Sequence, residues 1–225
     1  MKRIGLLIAV EIDSLLKKDF TYTRTEHVGK FDIYIYELDG KEIVTIRSGC
    51  GQVKAGAAAE ILISLYHVDF IINFGIVGAL TEGIGIHQVC LIDNIIDYAF
   101  DTSEADGCEV GRHLDYPSIF MPSDRHLLDK AMEIFPELKK VNCASGAKFV
   151  STEEEKSRIH RTFNADIIDM ESAGILLVAD MHDTAVLFVK GISDTLHGGK
   201  EEFLSMYRKA SETCVQIIIK MLTEI

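Results

Sequence analysis

Short runs rich in Ile and Val alternate along the chain with longer stretches in which apolar residues recur every three to four positions, the pattern of an α/β protein. Residues 3–10 (RIGLLIAV), 31–38 (FDIYIYEL) and 42–49 (EIVTIRSG) predict strands. The second alternates apolar with polar positions. The Asp-Gly in LDGKE, between the last two, is a hairpin signal, so an antiparallel pair is expected early in the sheet. Residues 52–67 predict a helix, because Ala and Leu favour one and the apolar positions keep helical spacing. Strands at 70–75 and 88–100 follow, separated by a glycine-punctuated loop, and the polar stretch 101–122 reads as a loop crossing a surface. Helices at 124–134, 153–163, 171–181 and 200–223 and strands at 141–145, 166–169 and 185–191 complete the order. The expected architecture is a three-layer αβα sandwich with a mixed central sheet.

At 225 residues, 48% of them hydrophobic and only 3 of them Pro, the chain is large enough to bury its core as one domain, 1–225. The formal net charge of -12, with no cluster of Lys and Arg, disfavours binding to DNA or RNA, whose phosphates would be repelled. No run of about eighteen apolar residues is present, which excludes a membrane-spanning helix. The start, MKRIGLLIAVEID, reads as a first strand rather than a secretion signal, and a cytoplasmic location is expected. Five scattered cysteines with no Cys-x-x-Cys pair predict reduced thiols. Among the eight histidines no metal-ligand spacing occurs, so neither a metal nor an organic cofactor is implied.

In open α/β sheets ligands bind outside the carboxyl ends of strands, so polar residues there are the first candidates for chemistry. Glu11 and Asp13 follow the first strand, Asp169 and Glu171 stand at a strand-to-helix junction, and Asp194 ends LFVKGISD. Gly75 and Gly78 in NFGIVGAL let backbone come close to a ligand. Each has a plainer reading. Glu171 suits the first turn of a helix, where the dipole favours an acid. Asp194 suits a helix cap, Asp13 a solvated face of the amphipathic DSLLKKDF, and Phe149 the core. Their common position at strand ends favours a site.

In order, IGLLIAVEID, SGCGQVKAGAAAE, INFGIVGAL, CASGAKFV, DIIDMESAGILLVA and KGISD resemble the purine nucleoside phosphorylase/nucleosidase family over nearly the whole chain. The likeness is strongest to its methylthioadenosine/S-adenosylhomocysteine nucleosidases. The resemblance implies hydrolysis of the N-glycosidic bond of an adenine nucleoside. By it, Glu171 accepts both ribose hydroxyls and Met170 packs on the sugar. Asp194, oriented by Ser193 and kept protonated by burial, gives a proton to purine N7. Asp13 activates the attacking water, Phe149 stacks on the base, the backbone of Val150 reads its edge, and Val77 and Gly78 border the ligand. The resemblance also implies a homodimer, with 101–117 of one copy closing the 5' pocket of the other.

This chain departs from the family pattern at Ile76 (usually Ser), Lys190 (often Arg), Asp13 (Glu in the nucleosidases) and Lys200, where an aromatic residue is expected over the 5' group. Ile76 and Lys190 are expected, with Asp13, on the nucleophile side. Phosphorylases of the family hold phosphate with a Gly-Asp-Pro and an Arg after the first strand. The acidic AVEIDSLL here would repel that anion, which favours water. A phosphorylase, or a nucleoside-binding homologue with impaired catalysis, is the alternative.

Overall fold

The computed structural model describes residues 1–10 and 21–225. Glu11 and Asp13 therefore lie outside the described residues. The strands are β1 (Arg3–Ile8), β2 (Thr21–Val28), β3 (Phe31–Leu38), β4 (Lys41–Arg47), β5 (Phe70–Ala79), β6 (Val89–Asp97), β7 (Met121–Pro122), β8 (Lys139–Ser145), β9 (Ile167–Asp169) and β10 (Val186–Asp194). The helices are α1 (Gln52–Ser64), α2 (Ser103–Asp106), α3 (Arg125–Ile134), α4 (Glu153–Phe163), α5 (Ser172–Met181) and α6 (Lys200–Glu224). All the elements expected from periodicity are present. Three more were not expected: β2, a polar strand at the end of the sheet, and the two short elements α2 and β7 within the stretch read as a loop. β5 and β10 also run farther than expected, to Ala79 and Asp194.

The sheet is mixed. β2, β3 and β4 form an antiparallel meander, with the expected hairpin between β3 and β4, while β1 runs parallel to both β4 and β5. Beyond β5 the sheet curls. β10 pairs with β5 and β6, β6 with β8, β8 with β9, and β9 returns to Gly78 and Ala79 at the far end of β5, closing five strands into a ring.

Side-chain alternation along the strands feeds two cores. On β1, Leu7 packs toward α1 and α5, whereas Ile4, Leu6 and Ile8 face the layer containing α3 and α6. A smaller cluster, including Ile96, Val150, Ile159, Phe163 and Ile168, seats α4. Among the described residues no helix is long and apolar enough to cross a membrane, and all five cysteines are free.

Helices α1 and α5 meet in backbone contact. A Cβ on Gly174 would stand 2.4 Å from the Gln52 carbonyl oxygen, and one on Gly56 would stand 3.2 Å from that of Gly174. Gly174→Ala is therefore expected to destabilise the protein despite the roughly 1 kcal/mol gained in helix propensity. Overpacking typically costs about 1–3 kcal/mol, and here the obstacle is backbone that cannot rotate away. A lower urea midpoint is the expected result, and an unchanged one would contradict the contact.

Candidate active site

The ends of β1, β8, β9 and β10 and the later part of β5 surround one cleft that is partly open to solvent. Its walls include Ala9 and Val10 after β1, Ile76, Val77 and Gly78 of β5, Phe149 and Val150 after β8, Met170 and Glu171 after β9, and Ser193 and Asp194 of β10. Every residue to which the family resemblance gives a role, except Asp13, thus lines a single cleft, whereas Gly75 does not. Asp13 belongs to the undescribed segment that begins directly after Val10.

Glu171 occupies the N-cap position of α5, yet its side chain does not cap the helix. Its Oε1 accepts from the Gly51 amide at 2.8 Å and its Oε2 from the Met170 amide at 3.3 Å, so backbone dipoles hold a largely buried carboxylate at the cleft wall. The capping falls to Asp169. Its Oδ1 accepts from the amides of Glu171 (3.3 Å) and Ser172 (3.2 Å), and its Oδ2 accepts from the Ser172 hydroxyl. Asp169 and Glu171 therefore divide the work, the first fixing the turn and the second presenting its carboxylate at the cleft wall.

Asp169 is itself anchored from within the ring. Lys190 of β10 reaches across to place Nζ 2.9 Å from Asp169 Oδ2 and donates to Asn73 Oδ1 at 2.6 Å. Burial alone would raise the Asp169 carboxyl, but the Lys190 ammonium and the Ser172 hydroxyl outweigh it and hold the group below its ordinary value. Burial alone would likewise lower Lys190, and the neighbouring Asp169 carboxylate reverses the direction.

Asp194 ends β10 and caps no helix. The register between β10 and β5 shifts between Ile192 and Asp194, and such an irregularity lets successive side chains, Ser193 and Asp194, both reach the cleft. The Ser193 hydroxyl lies 2.8 Å from Asp194 Oδ1 and 3.1 Å from the Val77 carbonyl. A Cβ at Gly78 would stand 2.9 Å from Asp194 Oδ2, so this glycine makes room for the acid. The other partner of Oδ2 is Lys156 of α4, whose Nζ stands 2.5 Å away with both side chains buried. A buried cation beside Asp194 is a feature the sequence motif GISD does not reveal.

A family model described as the phosphorylase superfamily matches residues 3–223. The chain belongs to the phosphorylase superfamily. It is 26% identical over 228 residues to a 5'-methylthioadenosine/S-adenosylhomocysteine nucleosidase of Shewanella loihica, covering 98% of each chain. Among solved structures it matches the Helicobacter pylori nucleosidase of the same name with a TM-score of 0.93 and 23% identity, covering 100% of this chain and 99% of that one. The futalosine hydrolase of the same organism matches with a TM-score of 0.93 and 23% identity, covering 100% and 98%. At these identities the two structures speak for the fold.

Against the superfamily pattern, two expectations change. Lys190 does not line the cleft but is sealed behind it against Asp169, because its side chain turns into the ring. Lys200 is not the residue over the cavity. Phe203, three positions along α6, lines it and packs edge-on to Phe149 with ring centroids 5.3 Å apart. Phe149 is 44% exposed, which sets aside its reading as a core residue. Lys156 was missed because EEEKSRIHRTF looks like a solvated helix. Its one signal is phase, since Lys156 falls on the same buried stripe as Ile159 and Phe163. Among the described residues no group of three His, Cys, Asp or Glu side chains could hold a metal ion.

Proposed function

We propose that the chain hydrolyses the N-glycosidic bond of 5'-methylthioadenosine, S-adenosylhomocysteine or both, releasing adenine and a thioribose. The observation that carries this reading is the opening of Glu171 and Asp194 onto one cleft that Phe149 and Val150 also line. Glu171, held by backbone amides, accepts hydrogen bonds from the ribose 2'- and 3'-hydroxyls while Met170 packs on the sugar. Phe149 stacks on the purine, the Val150 backbone reads its edge, and Val77 and Gly78 form the wall beside it. As the C1'–N9 bond breaks, its electron pair passes to the purine and N7 takes a proton from Asp194, which Ser193 orients. Water attacks C1' from the opposite face and yields a proton to Asp13. Nucleosidases named for these two substrates over full-length matches support the reading.

Glu171→Gln preserves the shape and can still accept from Gly51, but it replaces an ionised acceptor with a neutral one. A hydrogen bond to a charged group is worth about 1.5–3 kcal/mol, so kcat/KM for methylthioadenosine should fall about 10- to 100-fold. Steady-state kinetics check this, and an unaltered value would remove Glu171 from the ribose site.

The deciding assay incubates the protein with methylthioadenosine, S-adenosylhomocysteine, adenosine, inosine and futalosine, with and without phosphate, and separates base from sugar by chromatography. Phosphate-independent release of adenine from a thioether nucleoside is the expected result. Release that requires phosphate and yields ribose 1-phosphate would make the protein a phosphorylase, and binding without turnover would make it a nucleoside-binding homologue. We further propose a homodimer whose 101–117 segment closes the partner's pocket. The exposure of Leu114 on that segment supports it, and sedimentation equilibrium in the analytical ultracentrifuge tests the dimer.

A further inference from the structure

Lys156 has no part in the reaction as outlined above, yet it is fully buried and directed at the group assigned as the acid. Its ammonium has three protons and three acceptors: Asp194 Oδ2 at 2.5 Å, the Thr195 carbonyl at 2.6 Å and the Gly198 carbonyl at 2.8 Å. A lysine sealed from water is costly unless it is fully paired, and this one is placed on α4, outside the strands that carry the acid. It does not line the cleft, so it reaches the reaction only through Asp194.

We propose that Lys156 is a positioning residue for leaving-group protonation, fixing the Asp194 carboxyl and stabilising the negative charge that develops on it as its proton moves to N7. In that step the O–H bond of Asp194 breaks, an N7–H bond forms, and the carboxylate left behind faces an ammonium already in contact with Oδ2. A fixed charge aimed at a group whose charge grows during the reaction stabilises the transition state more than the ground state. Lys156 also ties the 195–198 turn to α4, so a purely architectural role is the competing explanation, and the test must separate the two.

This inference rests on the reading of Asp194 as the acid. Three variants are compared with the wild-type protein: Lys156→Met, which removes charge and donors, Lys156→Gln, which keeps donors without charge, and Lys156→Arg, which keeps charge. Each is assayed on methylthioadenosine and on 4-nitrophenyl 5-methylthio-β-riboside, whose phenolate departs without a proton. General acid catalysis contributes about 10²- to 10⁴-fold, so losing part of it should lower kcat for methylthioadenosine about 10- to 100-fold in the Met and Gln variants, with KM nearly unchanged. The nitrophenyl riboside should be cleaved at close to the wild-type rate, and the Arg variant should recover much of the lost kcat. Equal losses on both substrates, or a rise in KM alone, would assign Lys156 to architecture and overturn the proposal, as would full activity of the Gln variant. If Lys156→Met does not fold, the Gln and Arg variants decide by the same criteria. A wild-type protein that releases no adenine from any nucleoside would instead defeat the functional reading itself.

Discussion

Asp194→Asn is expected to abolish most turnover of methylthioadenosine, by about 10²- to 10⁴-fold, while the protein still binds adenine. The amide keeps the shape of the carboxyl and can still accept from Ser193, so the cavity should persist. What disappears is a proton that can be given to N7. The same change takes the Oδ2 acceptor away from the buried Lys156 ammonium, although the Thr195 and Gly198 carbonyls remain as acceptors. A lower melting temperature should therefore accompany the loss of rate, and assays belong well below that temperature. Single-turnover measurement of adenine release, paired with calorimetric titration of adenine, separates chemistry from binding. Turnover at the wild-type rate would remove Asp194 as the acid.

Lys190→Met should produce the largest loss of stability. Removing one partner of a buried ion pair typically costs about 3–5 kcal/mol, because the remaining charge stays desolvated. Here that charge is Asp169, whose carboxylate also holds the amides of Glu171 and Ser172, so the injury should spread to the ribose side of the cleft and weaken substrate binding. The pH dependence follows from the directions of the shifts. Asp169 is held below its ordinary 3.8 in the folded protein, so its contribution is full above that value and is lost as pH falls through the lower folded value. Lys190 is held above its ordinary 10.5, so its contribution is full below that value and is lost as pH rises through the higher folded one. Without Lys190, burial raises the Asp169 carboxyl of the variant above its ordinary value, so in urea denaturation the gap between wild type and variant should narrow as pH falls through that raised value, where Asp169 of the variant becomes neutral. Adding Asp169→Asn should restore part of the loss at neutral pH. A gap that did not change with pH would mean that packing, not the ion pair, was removed.

Much of this fold could be read from periodicity because its elements are locally consistent. α4 was placed at its observed boundaries, and the Ile- and Val-rich runs identified β1, β3, β4 and β10. β2 escaped because TYTRTEHV is polar and, at the end of the sheet, has a strand on only one side, so no apolar signal was required of it. Ring closure escaped because it depends on pairings between distant segments, such as Ile168 with Gly78, which no local pattern encodes. Within the cleft, Glu171, Asp194 and Phe149 are legible through their short motifs, whereas Phe203 is not, since an aromatic on a long helix reads as core. Behind the cleft, Lys156 reads as solvated because it is charged, and Lys190 is legible as a departure from the family pattern but not as the partner of Asp169.

Glu171 and Asp194 are mounted at the ends of β9 and β10, and both strands are hydrogen-bonded to β5 in the closed ring. A closed cycle of strands has no hinge through which the spacing of these acids could be adjusted to a new ligand. Altered preference for a base or a 5' group must come from the exchangeable segments around 147–150 and 195–204, and engineering of selectivity is best confined to them.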